Sequence, residues 1–275
     1  RDVYPETAGA REDYHGRKPG DSNFPLNVSA FRFALKILIS QPKMNQWISE
    51  SALEEVVPLD TVITPAHGTW YNPYVPVETY NTTRAMEVLN NAGFYNDSAH
   101  TGLPDGYWAN TNPAIGPVGE LRHFYVIYYY VWDSGTWISM KMCDSWDAFF
   151  GTASDGQPYF IDESLWWPTT AWVYITFYDR TFDISTDIRI LGENPDFLYD
   201  FFHPDMDSPR QNTAGLDDPE ANDMEYAVKF WRWPNGTYIE TVAELKAILW
   251  HLQEHLYYLC PYGVMMQAVA TNAYH

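Results

Sequence analysis

The spacing of apolar residues changes several times along the chain, and each change marks an element. Phe31, Ala34, Leu35 and Leu38 recur at helical intervals behind Ser29, which predicts a helix with Ser29 as its N-cap. Pro42 ends that helix, because proline lacks the N–H the next turn needs. A short second helix is predicted over 47–57, with Ser51 and Glu54 spaced as a capping box, and a helical segment over 82–91. Near the end, Leu245, Ile248, Leu249, Leu252, Leu256 and Leu259 form one apolar stripe behind a Thr241/Glu244 capping box. Between these lie strand-like runs at 61–64, 124–130 and 226–231.

Two of those runs lead into the same heptapeptide pattern. Residues 132–138 read Trp-Asp-Ser-Gly-Thr-Trp-Ile, and residues 233–239 read Trp-Pro-Asn-Gly-Thr-Tyr-Ile. Gly135 and Gly236 suit the left-handed position of a tight hairpin loop, so each copy predicts a β-hairpin followed by a helix. A weaker third copy is His67-Gly68-Thr69-Trp70-Tyr71, and residues 172–184 are a fourth hairpin without the signature. The expected fold is therefore α+β: repeated β-hairpin–helix units in a mostly antiparallel sheet, with helices packed on one face. The expected organisation is an extended arm over 1–25, hairpin–helix repeats over 26–192, an acidic Pro-rich loop over 193–225, and a last hairpin–helix unit with a tail over 226–275.

Composition narrows the partners. The 275 residues carry 16 Lys and Arg against 36 Asp and Glu, a net charge of −20, which argues against nucleic acid and anionic membrane surfaces. The charge is uneven: residues 193–225 hold ten acidic residues against Arg210 alone. No apolar run nears the ~18 residues of a membrane span, so no membrane insertion is expected. The chain opens on Arg1 rather than Met, which reads as a processed start and points to a virion, an organelle lumen or an extracellular setting. The four sequons at Asn27, Asn81, Asn96 and Asn235 stand against about two expected by chance and are weak evidence for secretion. Whether Cys143 and Cys260 pair is open at this level.

The sharpest chemical motif is His251-Leu252-Gln253-Glu254-His255. Two His at i and i+4 on a helix can share a zinc ion, with Glu254 acting on a bound water and Glu244 as a further ligand. Against this, His255 lies at the edge of the leucine stripe and His251 just outside it, Glu254 falls on the far side, Glu244 already has a capping role, and only 20 residues follow His255. Boundary histidines on an amphipathic helix are the plainer account. Asp205-Met206-Asp207 has the spacing of two calcium ligands, but no glycine or closing glutamate follows.

Aromatics make up 17% of the chain, and runs such as 128–130 put large rings on both faces of a strand. Covering both faces takes helices, a sugar or another subunit. The expectation is a non-enzymatic structural subunit that assembles with copies of itself into a shell, lattice, capsid or filament, without a cofactor. Trp70, Trp132, Trp137, Trp233 and Tyr238 are its expected hairpin anchors. The alternatives are a zinc-dependent hydrolase using the HxxEH helix and an aromatic-rich, carbohydrate-binding secreted protein.

Overall fold

The computed structural model describes residues 22–39, 56–58, 61–128, 133–163, 182–186, 194–206, 212, 215–261 and 266–268. The chain divides into two compact units. Unit one comprises Arg1–Glu54 and Thr79–Asp187, and unit two comprises Glu55–Glu78 and Ile188–His275. Helices and small sheets occur in both, an α+β composition.

In unit one, α1 (Ser29–Leu38) forms where the helical spacing places it, and Phe31, Ala34, Leu35 and Leu38 are all buried. Its N-cap is Val28, one residue earlier than expected, without a side-chain cap. Phe31 sits among aromatic rings, 5.2 Å from Phe94, 5.6 Å from Phe124 and 5.8 Å from Phe150. α2 (Thr82–Ala92) starts on Asn81, whose side chain accepts the Arg84 N–H, and stops at Gly93 with φ 102°. A left-handed residue at that position is most readily a glycine. Beyond it, β2 (Phe94–Tyr95), β3 (Ala109–Asn110) and β4 (Gly119–Glu120) form a small antiparallel sheet, with the short helix α3 (Ser98–Thr101) in the loop after β2.

The second sheet of unit one departs from expectation. β5 (Phe124–Tyr128) is its central strand, and β6 (Phe160–Asp162) and β7 (Ile184–Thr186) run parallel on either side. The 132–138 segment does not turn as the expected hairpin; instead, Gly135 lies within α4 (Asp133–Phe150), which links β5 to β6 as a parallel crossover. Helical periodicity wins here, because Met142, Cys143, Trp146 and Phe150 are all buried on one side. Gly135 falls in the first turn, where its N–H has no intrahelical partner to lose. α4 also caps α1: Ser145 Oγ donates to the Leu38 carbonyl at 2.7 Å and Trp146 Nε1 to the Leu35 carbonyl at 3.0 Å. Trp132, the Trp137 side chain and most of the fourth hairpin lie outside the described residues, as does the 47–57 helix apart from Val56 and Val57, which open a strand.

In unit two, that strand, β1 (Val56–Pro58), pairs antiparallel with β8 (Met266–Ala268). The expected acidic loop contains α5 (Phe197–Phe202), a 3-10 turn over Pro204–Met206, and the first turns of α6 (Pro219–Phe230). α6 replaces the expected 226–231 strand. Asp218 accepts the Ala221 N–H as N-cap, and Pro219 occupies the first helical position, where its missing N–H costs nothing. Alternating Tyr226, Val228 and Phe230 resemble a strand only because they fall at the helix end.

After α6 the chain does turn as expected. Trp233 N–H donates to Thr237 O at 2.8 Å, Gly236 has φ 94°, and Arg232 bridges to Tyr238. The third copy is no hairpin but a 3-10 turn over Pro65–Trp70. α7 (Val242–Leu259) closes the unit, burying Leu245, Leu249, Leu252 and Leu256 in a core shared with Ile63, Phe197 and α6.

The parallel sheet of unit one rests on one charge pair. Arg122 Nη2 lies 2.7 Å from Asp183 Oδ1, and the Asp183 side chain is wholly buried. Asp183 Oδ2 accepts the Tyr125 N–H at 3.0 Å, and Arg122 also donates to the carbonyls of Phe24 and His123. Removing one partner of such a pair leaves a buried charge uncompensated. Arg122→Ala is expected to destabilise unit one by about 3–5 kcal/mol. Asp183→Asn, which keeps the shape and removes the buried charge itself, is expected to cost less. Urea unfolding of the three proteins checks the order; equal losses would overturn it.

Candidate functional site

The residues singled out in the sequence gather on α7 and on what packs against it. Its start is a reciprocal cap: Glu244 N–H donates to Thr241 Oγ1 at 3.1 Å, while Glu244 Oε2 accepts the N–H groups of Thr241 and Glu240. Glu244 is thus engaged in the cap, seven residues before His251.

The two histidines reach across to α6. His251 Nε2 lies 2.9 Å from Glu220 Oε1, and His255 Nε2 lies 2.8 Å from Asp218 Oδ1. Glu220 Oε2 is 3.9 Å from His255 Nδ1, so this carboxylate stands beside both rings. Burial acts to raise the Asp218 pKa, but the Ala221 N–H and His255 outweigh it and hold the carboxyl below the usual carboxylate range. Glu254 turns away from both histidines and accepts from Asn72 Nδ2 at 3.0 Å. Among the described residues, no three of His, Cys, Asp and Glu converge as a metal-binding group.

Sequence reasoning passed over Gln253, Asn72 and Glu225. Gln253, inside the motif, is buried and uses both ends of its amide. Its Nε2 donates to the carbonyls of Trp70 (2.9 Å) and Leu249 (3.0 Å); its Oε1 accepts from Thr61 (3.3 Å) and from the Asn72 N–H (3.1 Å). Asn72, also fully buried, donates to the Trp250 carbonyl and to Glu254, and accepts from Tyr74 N–H. Only the polar residue at a stripe position of an otherwise apolar helix hinted at this. Glu225 on α6 is buried, and neither carboxyl oxygen has a hydrogen-bond partner among the described residues. Burial, with Asp218 adding to it, pushes its pKa up to about 9, so the carboxyl is neutral at pH 7.

The aromatic anchors have separate placements. Trp70 is half-buried against the unit-two core, and so is Trp233. Tyr238 is 70% exposed, with the Arg232 guanidinium 6.0 Å from its ring centroid. A further exposed aromatic, Tyr74, meets Trp250 edge-on at 5.7 Å, with Lys246 Nζ 4.2 Å from the Trp250 centroid. Cys143 and Cys260 are both buried thiols that form no disulfide, and burial raises the Cys143 thiol well above its usual range.

No protein-family model matches the chain, and no curated protein matches it. Solved structures do. The oligopeptide-binding protein AppA from Bacillus subtilis, in complex with a nonapeptide, matches at 16% identity and a TM-score of 0.67, over 91% of this chain and 43% of that one. A periplasmic oligopeptide-binding protein of an oligopeptide ABC transporter from Thermotoga maritima, with bound mannohexaose, matches at 16% identity and a TM-score of 0.64, over 88% and 42%. NikZ from Campylobacter jejuni, in complex with Ni(L-His), matches at 13% identity and a TM-score of 0.61, over 91% and 43%. The chain spans less than half the length of these structures.

The fold is thus similar to that of part of these solute-binding structures. This corrects the expectation of a self-assembling shell, lattice, capsid or filament subunit whose partners are its own copies. Aromatic rings of unit one pack against one another, as around Phe31 and Phe150, while the 128–130 run lies outside the described residues beyond Tyr128.

The buried amide network predicts a specific sensitivity. Gln253→Leu strands the Thr61 hydroxyl, the Asn72 N–H and the Trp70 carbonyl, at roughly 1–3 kcal/mol for each unsatisfied group. A loss of about 3 kcal/mol in unfolding free energy is expected, with earlier proteolytic cleavage within 61–78 than elsewhere. A variant as stable as wild type would show that the segment is held by other means.

Proposed function

We propose that the chain is the ligand-capturing part of an extracytoplasmic solute-binding protein serving an ABC transporter, and that its ligand is a short peptide. The observation that carries this reading is the fold likeness across 91% of the chain to a peptide-bound oligopeptide-binding protein. A further structure of this fold, from Thermus thermophilus, holds a pentapeptide. The net charge of −20 favours neutral or basic peptides over acidic ones, because like charges raise the cost of approach. Exposed Tyr74, Trp231 and Tyr238 offer flat apolar faces for a peptide side chain to stack on.

Thermal unfolding with and without peptide tests this. Basic and neutral peptides of three to nine residues are expected to raise Tm progressively with concentration, reaching about 2.7 kcal/mol of stabilisation at a hundred times Kd. Calorimetric titration should then give one site per chain. Acidic peptides, mannohexaose and Ni(L-His) serve as comparators. Stabilisation by a comparator and by no peptide would overturn the ligand class, and stabilisation by none of them would overturn the ligand-binding reading.

A further inference from the structure

α6 packs against α7 on one side and α5 on the other. Its buried residues are Ala221, Met224, Ala227, Val228 and Glu225. Four of these five are what an apolar seam calls for. The fifth is a carboxylic acid with no exposed surface and no partner for either oxygen among the described residues.

Among the described residues, several charged groups of α5, α6 and α7 have other partners or lie exposed. On α6 itself, Asp218 and Glu220 bond His255 and His251, and Lys229 lies 3.3 Å from Asp200 and 3.5 Å from Asp196. Asp223 is exposed. The residues that α7 buries are Leu245, Leu249, Leu252, Leu256, Gln253 and Tyr257, with His251 and His255 reaching the start of α6. From α5, Asp200 is held by Lys229, and the adjoining His203 accepts the Asp205 N–H on Nδ1 while stacking on Tyr199. Burial lowers the His203 pKa, and the acidic neighbours Asp205, Asp217 and Asp223 oppose that shift. Asp218, the one charge felt at Glu225, is negative and opposes ionisation.

We infer that the α6–α7 seam of unit two is a proton-held latch, in which Glu225 lets the helices close only as a neutral acid and opens them when it ionises. A buried carboxylate with no cation or donor is too costly to keep, so a lost proton is answered by exposure of the side chain to water. Because α7 also carries Gln253 and the segment 61–78 attached to it, opening the seam loosens the elements that hold that segment.

Linkage sets the direction with pH. With α6 detached, Glu225 is an ordinary solvated carboxyl and ionises near its usual range. In the closed seam it stays protonated up to about pH 9. Between those limits the closed form binds one more proton than the open form, so closure weakens as pH rises, by about tenfold per pH unit. Above the upper limit this group contributes no further loss.

Hydrogen-exchange protection factors of the α6 amides, measured on the whole chain without ligand, provide the test. In wild type they are expected to fall about tenfold per unit between pH 6 and pH 8. In Glu225→Gln, which cannot ionise, they are expected to be flat over that range, and Glu225→Met gives the same readout if the amide is not tolerated. The double variant H251Q/H255Q, which removes the other ionisable pairs that bridge the two helices, should keep the wild-type slope. A flat wild-type profile, a Gln or Met variant that keeps the slope, or a slope lost with the histidines would each overturn the proposal. Because no ligand is present, the outcome is separate from that of the peptide-binding test.

Discussion

A side-chain amide cannot be buried in a helix interface unless both its ends find partners, and unit two is organised around meeting that demand for Gln253. The cost of an unmet donor or acceptor exceeds the net gain of a made bond, so the network acts more as a constraint than as a glue. Gln253 fixes where Trp70, Thr61 and Asn72 must lie, and Asn72 in turn fixes Trp250, Glu254 and Tyr74. These residues lie 178 to 192 positions apart across the main pairings, so a stretch far upstream acquires one docking position on α7. The leucines of α7 drive association through area, which many orientations would satisfy; the amide selects one.

Unit one reaches the same end with charge. Its three-stranded parallel sheet is narrow, and β7 comes from a part of the chain about sixty residues beyond β5. Asp183 holds it in place by accepting the Tyr125 N–H with one oxygen and Arg122 with the other. Arg122 spreads its remaining donors over two backbone carbonyls, one of them Phe24 near the start of the described chain. A planar guanidinium with several fixed donors suits this three-way role better than a lysine ammonium.

An element is legible in the sequence when its signal is local. The helices α1, α2 and α7 are visible because helical spacing, joined at α7 by a capping box, is a property of a dozen neighbouring residues, and the tight turn at Gly236 because one glycine position dictates it. The repeat misleads for a related reason. Trp-x-x-Gly-Thr-aromatic-Ile is compatible with a hairpin at 233–239 and with a first helical turn at 133–138, and the residues downstream of each copy decide between them. Asp218-Pro219 is a helix start, hidden inside an acidic stretch that reads as loop by composition. The parallel order β6-β5-β7 depends on pairings no local window contains. The partners of the site residues, Glu220 and Asp218 for the histidines and Asn72 for Glu254, are likewise long-range.

The HxxEH motif shows why spacing alone underdetermines chemistry. Histidines at i and i+4 project from adjacent turns, so any acceptor set along that edge can engage both, whether metal ion or neighbouring helix. Here the edge faces the start of α6, where the helix dipole and the cap already favour carboxylates at Asp218 and Glu220. Those carboxylates are therefore present for reasons internal to α6, and the histidines meet them as the two helices pack. The glutamate inside the motif, three residues from His251 and one from His255, is thereby left on the opposite side to serve Asn72. The same register buries Glu225, one turn and more further along α6, with no hydrogen-bond partner among the described residues, so that the motif's partners and the buried acid are consequences of a single helix register.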